Sequence, residues 1–420
     1  MTGRYLSVDH LAAVTNAAYL TWFQAAIVMV VSAGATALVA RLVGARDRAR
    51  ARHICGQSIT LALIVGGAIA VLGFALAPRI TAAMNLSGLA AEQAARYLRI
   101  VLLVAPLQTA RTVGIACLRG AGDTKTGMWV MVSVNFVNVA LSWSLVIGIG
   151  PLPALGLAGI AIGTAISEGV GGLVVLTLLA RGRSGLRVDL ASLRPSAPEV
   201  RRLLRISLPA AGEGITNAAC QLWFLGLINR LGPTATAAHG IAIRCEALAF
   251  LAVIAFGVAG GTLAGQYLGA RRPDLARRAA RSAWMIGTAV AVGLGVVLYT
   301  QAESMFALFL GGRPGQQGVA AMGAPVIRLV SFAMPAMATI LVLGGVLRGV
   351  GDTRWPMVIA LIGYFAVRIP MTYFATDPEG LLEPDWGLYG AWVAMFLDLH
   401  LRGGLIAIRF WKGAWNDVRV

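Results

Sequence analysis

Glu213, Asn217 and Gln221 stand at i, i+4 and i+8 inside an otherwise apolar stretch, so one face of a helix carries all three. An ionisable group costs about 2.5–3.5 kcal/mol at the centre of a bilayer, which confines it to a cavity or to a protein interior. A carboxylate in such a place has ion-coupling chemistry: it takes up a proton or holds a metal ion, and exchanges it against a cation. The other reading of Glu213 is a side chain near a helix end that snorkels beyond Pro209. Glu246 follows His239 by seven residues and shares its helical face, with Arg244 on another; ion coupling and an ion pair with an arginine fit equally. Asn135, Asn138 and Glu168 stand within further apolar segments, where they would line a cavity, and asparagine also bonds helix to helix. Asp398, His400 and Arg402 are close enough to pair with one another or with neighbours.

A second kind of chemistry belongs to turns. Leu118-Arg-Gly-Ala-Gly-Asp-Thr-Lys-Thr-Gly-Met128 returns as Leu347-Arg-Gly-Val-Gly-Asp-Thr-Arg-Trp-Pro-Met357, seven of eleven positions identical at an offset of 229. Gly122, Asp123 and Thr124 thus match Gly351, Asp352 and Thr353. The stretch lacks the Gly-Lys-Ser/Thr ending and the preceding strand of a phosphate loop, and reads as a helix hairpin. Gly120 and Gly349 are expected to end one helix in the left-handed conformation, and Asp123 and Asp352 to cap the next; a gating contact at the cytoplasmic mouth is the alternative. No nucleophile–base pair and no His-Glu-x-x-His spacing occurs among the candidate residues, which argues against an intramembrane enzyme and a metal site.

The elements that position these groups follow from composition. Of 420 residues, 58% are hydrophobic and 13% charged, with mean hydropathy +0.77, far from a soluble domain. The net charge of +17 would suggest nucleic acid in a soluble protein. Here the charges sit in loops without interleaved aromatics, where retention beside the cytoplasmic leaflet explains them. Cys55, Cys117, Cys220 and Cys245 show neither metal nor disulfide spacing. The first segment reads as a full span and not as a cleavable signal.

Windows of about nineteen residues place helices near 17–40, 54–77, 97–118, 127–149 and 155–180, and then 203–230, 236–268, 280–301, 320–347, 355–376 and 386–411. The resulting expectation is an all-α polytopic membrane protein: an N-terminal bundle at 1–182, a polar cytoplasmic linker at 183–202 and a C-terminal bundle at 203–420. Basic residues gather in alternate loops, from Arg46 and Arg48 through Lys125 and Arg271 to Arg354 and Lys412. The opposite loops end on the acidic run Asp377, Glu379, Glu383 and Asp385. That bias predicts a cytoplasmic C-terminus and an external N-terminus.

The repeat extends beyond the turn. Leu42-Val-Gly-Ala-Arg46 pairs with Tyr267-Leu-Gly-Ala-Arg271 at 225, and Leu155-Gly-Leu-Ala-Gly159 with Trp386-Gly-Leu-Tyr-Gly390 at 231. Three anchors in one order indicate duplicated halves of the same orientation, related by an axis along the membrane normal. The counterpart of 203–230 would fall before residue 1, so the expected architecture is two parallel-related bundles, 5 + 6 helices of a 6 + 6 design, lacking its first helix.

Taken together, the motifs resemble the multidrug and toxic compound extrusion (MATE) family. The resemblance rests on Leu208-Pro-Ala-Ala-Gly-Glu213, on Arg244-Cys-Glu-Ala-Leu-Ala-Phe250 with Gly265-Gln-Tyr-Leu-Gly-Ala270, and on both Leu-Arg-Gly-x-Gly-Asp-Thr turns. Asn138 with Leu155-Gly-Leu-Ala-Gly-Ile160, and the ending Arg409-Phe-Trp-Lys-Gly-Ala-Trp415, extend it over nearly the whole chain. It implies a pair of six-helix bundles rocking between inward- and outward-open states, in a multi-pass monomer of the inner membrane. Organic cations would leave against entering H⁺ or Na⁺, with no cofactor beyond the coupling ion and no nucleic-acid partner. On that likeness Glu213 and Glu246 are the ion-coupling residues, and Asn217, Gln221, Asn135, Asn138 and Glu168 line the substrate cavity. Many family members hold an ion-site aspartate on helix 1, which this chain lacks. A lipid-linked precursor flippase of the same superfamily and a non-transporting remnant are the rivals.

Overall fold

The structure is a computed structural model that describes residues 27–83, 88–148, 153–310, 317–376 and 386–418. Every regular element among the described residues is helical. In chain order they are α1 (Ile27–Gly44), α2 (Arg48–Ala83), α3 (Gly88–Leu103), α4 (Ala105–Gly120), α5 (Thr124–Ile147) and α6 (Leu157–Ala180). There follow α7 (Ala197–Arg230), α8 (Pro233–Gly269), α9 (Pro273–Thr300), α10 (Ala302–Leu310) and α11 (Gln317–Gly349). The last are α12 (Arg354–Ile362), a π turn (Gly363–Arg368), α13 (Ile369–Thr376) and α14 (Gly387–Trp411). Nine described helices are long and apolar enough to cross a membrane, or ten with α3 and α4 as one bent span. The all-helical membrane class is therefore correct. The helix α7, 34 residues long, is not one of the nine, because Glu213, Asn217 and Gln221 lower the hydropathy of its central stretch. The start of the expected helix 17–40 and the acidic run at 377–385 lie outside the described residues.

Two compact units divide the chain, Met1–Ala211 and Gly212–Val420. In the first, the polar stretch after α6 is pinned to α2. Gln57 donates to the carbonyls of Ser192 and Arg194 at 2.8 and 2.7 Å and accepts from the Ser196 N–H at 2.7 Å. The single helix expected over 97–118 is broken: α3 and α4 meet at 53°. Pro106, at the second position of α4, has no N–H to offer the preceding turn and its ring crowds that turn.

The duplicated turns share one backbone design, and it differs from the expected one. The left-handed residue is the second glycine of each motif, Gly122 (φ 91°) and Gly351 (φ 93°), not Gly120 or Gly349. The N–H of Asp123 bonds to Leu118 O at 2.9 Å and that of Gly122 to Arg119 O at 2.8 Å; Asp352 to Leu347 (2.8 Å) and Gly351 to Arg348 (3.0 Å) repeat the pattern. These paired bonds close the helix in a Schellman turn. Gly120 and Gly349 serve close packing instead: a Cβ would lie 2.8 Å from the Thr36 carbonyl oxygen on α1, and 2.5 Å from Gly261 Cα on α8. The other repeat anchor ends the same way, with Arg46 (φ 60°) and Arg271 (φ 58°) in the left-handed region. The π turn adds a residue to the second copy between two anchors, one of the two by which their offset grows from 229 to 231.

Candidate functional site

Within the C-terminal unit, the polar stripe on α7 faces α12 and the π turn. Tyr364 donates its hydroxyl to Asn217 Oδ1 at 2.8 Å, and Arg368 Nη1 reaches Gln221 Oε1 at 3.4 Å. One turn nearer the start of α7, Glu213 Oε1 accepts from Arg348 Nη1 at 2.8 Å, while its buried Oε2 has no hydrogen-bond partner. Glu213 is thus ion-paired to the arginine of the second turn motif.

Behind the stripe lies a buried ionic network. Asp398, fully buried on α14, takes Arg402 Nε and Nη2 at 2.7 Å each and Arg368 Nη2 at 2.9 Å. Tyr364 stands between the two guanidiniums: Arg402 donates to its hydroxyl at 3.0 Å, and Arg402 and Arg368 lie 4.4 and 5.3 Å from its ring centroid. Two cations around one carboxylate offset part of the cost of burying their charges, with Arg368 Nε left without a hydrogen-bond partner. The network requires glycine at Gly363, since a Cβ there would collide with the side chains of Asp398 and Arg402. Glu246, on α8, forms no ion pair among the described residues; its electrostatic neighbour is Arg368. His239, its partner on the same face, is a core residue held between the rings of Phe224 and Trp392 at 5.6 and 5.4 Å. His400 turns away and contacts the Phe396 carbonyl.

In the N-terminal unit Glu168 is paired with Arg111, Oε2 to Nη2 at 2.6 Å, and Arg111 also touches the Met131 sulfur. Asn138 donates to Thr164 Oγ1 at 3.0 Å and to Ser167 Oγ at 3.3 Å. Asn135 lies on an exposed face of the same helix, outside that cluster. Arg111, Tyr364 and Arg368 were missed in the sequence. The available signal was a lone arginine inside an apolar span, which counting basic residues loop by loop passes over.

The two turn aspartates have different duties. Asp123 caps α5, accepting from the Thr126 N–H at 2.9 Å, and takes Arg183 Nε at 3.0 Å and the Ser184 hydroxyl at 2.7 Å. Partial burial by itself would raise its pKa, but the bonds from Ser184, Thr126 and Arg183 outweigh it and hold the carboxyl down at about 2. Asp352 does not cap. Thr353 is the residue before α12, and Asp352 is taken by Arg409 Nε and Nη2 at 2.9 and 2.8 Å. Thr124 opens α5. In each unit an arginine at or after the end of the last helix thus clamps the turn aspartate.

The MatE family pattern matches residues 1–144 and 209–374. The chain belongs to the MatE family. As a MatE protein it is a multi-pass membrane transporter and not an enzyme. A probable multidrug resistance protein NorM of Thermotoga maritima is 29% identical over 395 residues, covering 94% of this chain and 83% of that protein. The multidrug resistance protein NorM of Burkholderia vietnamiensis is 29% identical over 411 residues, 96% and 87% of the two chains. Among solved structures, an outward-facing multidrug resistance MATE transporter of the MOP superfamily superposes with a TM-score of 0.87 at 20% identity, covering 98% of this chain and 90% of that one. A MOP superfamily transporter from Pyrococcus furiosus gives 0.89 at 20%, with the same coverage. At that identity the structures establish the two-bundle fold of this MatE chain and nothing finer.

Proposed function

We propose that this MatE protein is a secondary active antiporter of the inner membrane that exports amphipathic organic cations against entering H⁺ or Na⁺ by alternating access. The relatives' multidrug resistance names support the export reading. The observation that carries the coupling chemistry is a contrast within the C-terminal unit. Asp398 is locked between two arginines, whereas Glu246 forms no ion pair among the described residues and Glu213 keeps one buried oxygen without a partner. A carboxylate with unspent acceptor capacity binds and releases an ion; one saturated by two guanidiniums does not. Glu213 and Glu246 are then the ion-coupling residues, with Asn217 and Gln221 as cavity groups beside them. Asn138 and Glu168 are held by neighbours within the N-terminal unit and serve substrate when those bonds open.

The test is uptake of a fluorescent organic cation into everted vesicles, energised in turn by a pH gradient and a Na⁺ gradient. Uptake under one gradient names the coupling ion. Glu213→Gln and Glu246→Gln should each abolish gradient-driven uptake while leaving membrane insertion unchanged; transport equal to the parent would remove that residue from the mechanism.

A further inference from the structure

Arg368 is bound below its capacity. It ends the π turn with its side chain only 3% exposed, and a guanidinium carries five donors. Nη2 gives to Asp398 at 2.9 Å, Nη1 reaches Gln221 only at 3.4 Å, and the buried Nε has no hydrogen-bond partner. One turn on, the hydroxyl of Thr372 is also buried without a partner. Asp398 does not depend on Arg368, because Arg402 holds both of its oxygens at 2.7 Å. The Arg368 guanidinium can therefore serve a second acceptor without stripping the first.

Glu246 has the opposite deficit. It forms no ion pair among the described residues, and Arg368 is the charged group that acts on it. On α8 itself Arg244 lies on an exposed face, and His239 is enclosed by Phe224 and Trp392. Arg328 and Arg348 of α11 are taken by Glu303 of α10 and by Glu213 of α7. The charged groups of α9, Asp274, Arg277, Arg278 and Arg281, gather toward its start. On α14 Asp398 and Arg402 hold each other and His400 turns to the Phe396 carbonyl, while Cys220 of α7 lies against Arg368 itself.

A carboxylate among apolar helices has to be neutralised in every state of a transport cycle, by a proton, a metal ion or a fixed cation. Arg368 repels either mobile ion, but the two have different needs. Na⁺ requires several oxygen ligands to replace its water, and no group of three acidic, histidine or cysteine side chains able to hold a metal occurs among the described residues. A proton binds to one oxygen and needs no further ligand. We propose that Arg368 is the internal counter-ion of Glu246, so that Glu246 alternates between a proton and a guanidinium and exchanges H⁺, not Na⁺. The proposal rests on the antiport reading of Glu246 and decides between its two ions. With the proton on Glu246, Arg368 stays with Asp398 and Gln221; when the proton passes to water, Arg368 gives Nε to the carboxylate and Asp398 keeps Arg402.

The test is infrared difference spectroscopy of the full chain in membranes, taken between low and high pH in choline chloride and in NaCl of equal ionic strength. The parent should show a protonated-carboxyl band with a component that Glu246→Gln abolishes, and the midpoint of that component should be the same in both salts. Arg368→Gln should let Na⁺ compete, so that Na⁺ at ten times its Kd lowers the proton affinity about tenfold. Arg368→Lys, which keeps the charge, should stay insensitive to Na⁺. A parent midpoint that moves with Na⁺, no component lost in Glu246→Gln, or an Arg368→Gln variant as insensitive as the parent would each overturn the proposal. Should Arg368→Gln fail to insert, the parent's comparison of the two salts still decides. Uptake into everted vesicles should follow the pH gradient, and uptake driven by Na⁺ alone would also overturn the proposal. No uptake under either gradient would count against the antiport reading and leave the infrared result standing.

Discussion

Asp398 is paired with two buried arginines at once, so its charge matters more than its size. Asp398→Asn leaves Arg368 and Arg402 uncompensated and should cost about 3–5 kcal/mol, read as a lowered unfolding midpoint in detergent. Asp123 is only partly buried, at the surface end of its helix. Its folded pKa of about 2 lies below the ordinary 3.8, so the stability it adds is complete above the ordinary value and is lost as pH falls through about 2. Amide exchange at Thr126, corrected for its intrinsic pH dependence, should therefore stay level between about pH 5 and 8. Asp123→Asn should speed it throughout that range; a titration of the parent near neutrality would show that another group controls the turn. Candidate carboxylates were legible one at a time in the sequence. Their duties were not, because Glu168 and Glu213 look alike as lone acids until Arg111 and Arg348 arrive from other helices.

Helix ends carry the next set of consequences. Gly351 sits at φ 93°, where a Cβ meets the preceding backbone, and Gly351→Val should destabilise by about 1–2 kcal/mol. Arg271 occupies the same region at φ 58° without being glycine, so Arg271→Gly should be neutral or stabilising by up to about 1 kcal/mol in the same melting experiment. Both turns were recognisable from their repeated residues. Which glycine turned left-handed was not, since Gly120 and Gly349 owe their place to helices α1 and α8 that pass within contact of them. Likewise Asp352 has the same local context as Asp123, and Arg409 at the far end of α14 removes it from capping duty.

For the whole molecule, the alternation of basic loops sets an orientation that thiol labelling can read. The four native cysteines are buried, so single cysteines at exposed sites report cleanly. Lys125→Cys and Lys412→Cys should react with a membrane-impermeant maleimide in everted vesicles and resist it in intact cells; the reverse pattern would invert the topology. The helical membrane class, the order of the spans, the duplicated halves and the family were determined by the sequence by itself, because hydropathy, periodicity and turn chemistry are properties of short windows. The tertiary structure decided which polar groups meet. A helical period says that Glu213, Asn217 and Gln221 share a face, but it does not say that Arg348, Tyr364 and Arg368 stand opposite.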